Sequence, residues 1–100
     1  MLKGKFTMGK ALGFFEISGV VAAVNALDIM CKTSDVEFVT WEKKLGGRLV
    51  TLVVTGNISA VKSALETGKE KASALGTVYG CEAIPNLHGE VAKFFDFDIK

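Results

Sequence analysis

The residues able to do chemistry in this chain are a single histidine, scattered carboxylates, two cysteines and a cationic glycine run, Glu42-Lys43-Lys44-Leu45-Gly46-Gly47-Arg48. His88 stands alone beyond Pro85, so acid–base work would need a partner that its neighbours do not supply. Glu16, inside Phe14-Phe15-Glu16-Ile17, has no acidic neighbour and reads as a polar residue on a sheet's outer side or at a subunit contact. Cys31 and Cys81 are far apart in apolar stretches with no CxxC. They read as small core hydrophobes in a reduced compartment, not as thiolate ligands. No GxSxG, HExxH or GxGxxG pattern occurs. The residues point to no enzyme, no cofactor and no metal site. Gly46-Gly47-Arg48 leads into a strand, whereas a phosphate-binding loop leads into a helix. Alone, the run reads as a hairpin turn whose glycines supply positive φ and whose cations keep an edge soluble.

Hydrophobic periodicity supplies the elements that position these groups. Ala11 to Ile17 is short, apolar and aromatic-rich, a strand. Ser18 suits an N-cap for a helix from Gly19 to Lys32, with Val20, Val24, Leu27 and Cys31 on one apolar stripe. Val36 to Glu42 and Leu49 to Thr55 read as strands joined by the glycine run. Asn57 or Ser59 caps a second helix running to Leu75, with Val61, Leu65, Gly68, Ala72 and Leu75 on its buried face. Gly68 suggests a close backbone approach, and Gly76 a left-handed residue past the end. Thr77 to Ile84 is a fourth strand, stopped by Pro85. A short helix from Gly89 to Phe95 closes the domain. The order β-α-β-β-α-β, with that terminal helix, is α+β and ferredoxin-like: an antiparallel sheet with helices on one face.

The chain has 100 residues, 49% hydrophobic and 23% charged, with a net charge of +1. That is one globular domain with apolar surface to spare for partner copies. Near-neutral charge gives no field for nucleic acid or an anionic membrane. Phe38 and Trp41 fall on opposite faces of an alternating strand, so no base-stacking platform is expected. Lys62, Lys69 and Lys71 alternate with Glu66 and Glu70 as a solvated helix face. No apolar run reaches a membrane span and no secretory signal is evident, so a cytoplasmic protein is expected.

Several segments, in order, resemble one family. Ala11-Leu12-Gly13-Phe14-Phe15-Glu16 is similar to its A-L-G-(M/L)-(I/V)-E opening, and Gly19 to Asp28 to its G-(L/V)-V-A helix. Asp28-Ile29-Met30-Cys31-Lys32 resembles D-A-M-V-K. Lys44-Leu45-Gly46-Gly47-Arg48-Leu49-Val50-Thr51 resembles the loop signature K-I-G-x-G-L-V-T. Gly56 to Lys62 resembles G-D-V-x-A-V-K, and Ile84-Pro85-Asn86-Leu87-His88 resembles I-P-R-P-H. The family is that of bacterial microcompartment shell proteins of the single-domain, hexamer-forming type. The resemblance covers residues 9–95, between an N-terminal extension (1–8) and a C-terminal tail (96–100).

The resemblance implies a cyclic homohexamer that tiles an organelle shell through lateral contacts with other shell proteins, with enclosed enzymes as further partners. Small metabolites would cross a central pore. Gly46 and Gly47 would form the pore rim beside Lys44 and Arg48, while Lys32, Asn86 and His88 would lie at the tile edge. Arg48 stands where the family has a glycine, and Lys43-Lys44 where one lysine is usual. If these cations point into the ring, the pore is narrow and cationic. If they point to subunit contacts, which is the favoured placement, it is open. Asn86 replaces an edge arginine and Leu87 the following proline. A ferredoxin-like regulatory domain binding a small molecule between subunits is the alternative.

Overall fold

A computed structural model of the protein describes residues 10–85. The expected segments 1–8, 89–95 and 96–100, with Asn86, Leu87 and His88, lie outside the described residues. The elements are β1 (Ala11–Ile17), α1 (Val20–Thr33), β2 (Glu37–Lys44), a single 3-10 turn (Leu45–Gly47), β3 (Leu49–Gly56), α2 (Ile58–Ala72) and β4 (Val78–Ile84). The strands form one antiparallel sheet in the order β2-β3-β1-β4. This is the expected ferredoxin-like arrangement, with β2 and β4 at the edges.

The core follows strand alternation. Ala11, Phe15 and Ile17 of β1 and Val50, Leu52 and Val54 of β3 face the helices and bury against Ala22, Ala23, Ala26 and Met30 of α1 and Val61, Ala64 and Leu65 of α2. The other sheet face carries a second cluster, Leu12, Val39 and Val53, with Phe14 and Ile84 against it. Thr55, a buried polar residue, donates its hydroxyl to the Ala11 carbonyl at 2.8 Å.

Several local expectations need correction. The buried face of α1 is the alanine–methionine one; Val24 and Cys31 are exposed, and Val20 and Leu27 only partly buried. Helix α1 packs closely on α2, so small side chains take the contact. A Cβ at Gly68 of α2 would come 3.0 Å from Met30 Cγ and 3.1 Å from Phe15 Cε2, so the atoms that come close there are side chains and not the neighbouring backbone that its position suggests. Cys31 is therefore no core residue, while Cys81 packs partly buried against the core. Ser18 does not cap α1. The N-cap is Gly19, at φ 92°, and the Ser18 hydroxyl instead accepts from the Thr77 amide at 2.9 Å. Asn57 does cap α2, its side chain accepting from the Ala60 amide at 2.9 Å. That helix ends at Ala72, leaving Leu75 exposed. Gly76 is not left-handed; it is needed because a Cβ would fall 2.6 Å from the Ser18 carbonyl oxygen. Finally, β2 slips register between Phe38 and Thr40, so Phe38 opposes Val54 and Trp41 opposes Leu52. Both partners belong to the helix-side core, so the bulge puts the two aromatic residues on one face, not on opposite ones.

Candidate functional site

The hairpin between β2 and β3 is tighter than the spacing suggests, because Lys43 and Lys44 complete β2 opposite Val50 and Leu49. The turn itself is Leu45-Gly46-Gly47, and all three residues hold positive φ: 55°, 68° and 91°. A side chain at such angles is strained, which accounts for the paired glycines. Leu45 accepts that strain with its side chain 66% exposed.

The turn is tied down from three directions. The Arg48 amide donates to the Leu45 carbonyl at 3.3 Å, and the Arg48 guanidinium Nε donates to the same oxygen at 3.1 Å. The Gly19 amide, where α1 begins, donates to the Arg48 carbonyl at 3.2 Å. Val20 of α1 lies beneath Gly47, its Cγ2 3.0 Å from where a Cβ would stand, whereas nothing lies within 4 Å of the corresponding point at Gly46. One glycine thus rests on the helix while the other borders open space.

Lys44, Gly46, Gly47 and Arg48 therefore come together, though Lys44 is the last strand residue and not part of the turn. Arg48 is exposed and turned back on its own loop, which the sequence pattern does not foretell. The Lys43 ammonium lies 5.6 Å from the Trp41 ring centroid, on its own strand. Lys32 is remote, near the end of α1, paired with Asp28 at 3.3 Å on an exposed surface. Asn86 and His88 lie outside the described residues. Glu16, on the sheet face away from the helices, accepts from the Thr51 hydroxyl at 3.4 Å. Among the described residues no group of three or more His, Cys, Asp or Glu side chains is placed to hold a metal. No described helix is long and apolar enough to cross a membrane.

A collar of apolar side chains surrounds the loop. Val21, Leu75 and Tyr79 line one hollow with Gly46, Gly47 and Arg48; Leu45, Leu49 and Tyr79 line another with Glu16 and Arg48. Val21 is 76%, Leu75 55% and Tyr79 60% exposed. Sequence reasoning missed this collar. Val21 hides behind the larger apolar stripe of α1, and helical spacing puts Leu75 on the buried face of α2. Tyr79 is placed by a slip in β4: Ile17 pairs with Val78 and Glu16 with Gly80, leaving Tyr79 unopposed. Nothing in TVYGCEAI announces that slip.

Comparison with known proteins gives one answer. The family model described as the BMC domain matches residues 11–87. The chain is 40% identical over 84 residues to the bacterial microcompartment shell protein PduA of Citrobacter freundii, covering 84% of this chain and 89% of that protein. It is 35% identical over 91 residues to the shell protein EutM of Escherichia coli, covering 91% and 93%. A crystal structure of a microcompartment protein from Desulfitobacterium hafniense has the same fold, with a TM-score of 0.72 and 24% identity, over 87% of this chain and 46% of that one. By these matches, and by a fold and a glycine loop that agree with them, the chain belongs to the BMC domain family.

Proposed function

We propose that this structural shell protein, which is not an enzyme, works as a cyclic homohexamer. Its Leu45–Gly47 turns meet around the axis and rim a pore for small metabolites. Lys32, Asn86 and His88 serve the lateral contacts by which hexamers join other shell proteins into the wall of a bacterial microcompartment, with the enclosed enzymes on the inner side. Shell proteins of this family oligomerise and associate with one another; the ring, its pore and the roles of these residues are our reading.

The observation that carries it is the exposed apolar collar around a strained, well-anchored turn. A lone chain leaves Val21, Leu45, Leu75 and Tyr79 largely in water. Covering each contributes on the order of 1 kcal/mol or more. A partner copy docked against the collar removes that exposure and brings its own turn beside the first. In the proposed assembly the collar meets a different surface of its neighbour, and the rotation between neighbours closes after six copies rather than running on as a filament.

Native mass spectrometry without cross-linker tests the reading. A dominant hexamer is expected, and Val21→Glu, which places a charge in the collar, is expected to shift the population to smaller species. A monomer, dimer or trimer persisting across concentrations would overturn it.

A further inference from the structure

The two edges of the sheet differ in a complementary way. At one edge, the side of β2 away from β3 pairs with no described strand. Trp41 and Lys43, two residues apart, stand together on the helix side of that edge, opposite Leu52 and Val50 of the core. The Trp41 side chain is 37% exposed, and the Lys43 ammonium lies 5.6 Å from its ring centroid. Neither residue lines the hollows around the turn.

At the other edge, the end of α2 and the start of β4 enclose an open hollow, again on the helix side. Leu75 and Val78 line it, with Glu66 and Glu70 one helical turn apart on α2 and Lys69 beside them. The hollow therefore keeps a net negative charge. Ser18 and Leu75 also line the hollow beside Gly46 and Gly47, so this surface continues the collar. Among the described residues, Lys43, Glu66 and Glu70 form no ion pair.

We infer that Trp41 and Lys43 of one copy seat in the hollow between α2 and β4 of the next, with Lys43 facing Glu66 and Glu70. This rests on the ring proposed above and names the surface that the neighbour brings to it. In a ring with the turns inward and the sheet lying flat, β2 forms one radial side of each copy and β4 the other. Both features stand in the helix layer and close to the turn, so neighbouring copies bring them together. Trp41 supplies a large apolar face to cover Leu75 and Val78. Its contact with the ring holds Lys43 in place before docking. Opposite charge on the two edges favours β2 against β4 over either edge against its own kind.

Trp41 is the chain's single tryptophan, so acrylamide quenching of its fluorescence reports this contact. Quenching and native mass spectrometry are run together over a range of protein concentrations. The wild-type hexamer should shield Trp41, and dilution to smaller species should expose it. Lys43→Glu sets like charges face to face and should raise the concentration needed for half-assembly about tenfold or more. Adding Glu66→Lys and Glu70→Lys to K43E reverses both edges and should restore the hexamer and the shielding of Trp41. A wild-type hexamer whose Trp41 is as open to acrylamide as in the smaller species would overturn the inference and leave the ring intact. So would a K43E protein that assembles as readily as wild type, or a triple variant no better than K43E alone. A wild-type protein that is not a hexamer would instead overturn the reading beneath it.

Discussion

At Gly46 the left-handed φ of 68° is the obstacle to a side chain, since nothing stands within 4 Å of a Cβ there. Gly47 combines a φ of 91° with Val20 pressed beneath it at 3.0 Å. The two substitutions should therefore separate. Gly46→Ala is expected to cost about 1 kcal/mol of stability, and Gly47→Ala about 2–3 kcal/mol, because overlap adds to backbone strain. Denaturation midpoints at one protein concentration check the ranking, and equal losses would show that Val20 yields freely. The pairing of glycines was legible from the run GGR alone. Which of them rests on α1 was not, because that depends on where Val20 arrives from a distant part of the fold. The Arg48 tether was equally hidden: a side chain folding back on its own turn leaves no periodic trace.

Helix α2 shows what an element's sequence specifies well. Asn57 at its start, alternating charges outside and Val61, Ala64, Leu65 and Gly68 inside agree at every level. Asn57→Ala should lower stability by about 1 kcal/mol through loss of the Ala60 amide's partner. Gly68→Ala should not give the gain normal for an exposed helix. A methyl there meets Met30 and Phe15, so a net loss of roughly 1–3 kcal/mol is expected in the same assay. Helix α1 is the contrary case. Its largest apolar residues suggested a buried stripe, yet Ala22, Ala23, Ala26 and Met30 took the core. Val21 and Val24 remain 76% and 51% exposed, a pattern hard to explain for a chain that works alone. Strand identities were legible from β-branched runs, whereas the slips at Phe38/Thr40 and Glu16/Ile17 were not. A bulge is a property of two strands, and each strand's own alternation conceals it.

At the scale of the molecule, element order and the helix-covered sheet follow from periodicity. The surplus of apolar surface likewise follows from a composition that is 49% hydrophobic in 100 residues. The place of that surplus needed the fold: Val21, Leu45, Leu75 and Tyr79 gather around the turn between β2 and β3 and the start of α1, while Val24 and Trp41 lie outside those hollows. A turn that holds left-handed φ at three successive residues, with strain only at Leu45, is pinned to a helix start and framed by Val21, Leu45, Leu75 and Tyr79, and this supports the proposed rim. The most direct test is an electron cryomicroscopy reconstruction of the purified, untagged assembly. The account predicts a sixfold ring with the Leu45–Gly47 turns at the edge of a central opening and the collar covered by the neighbouring subunit. A ring with these turns on its outer perimeter, or an assembly with no central opening, would contradict it.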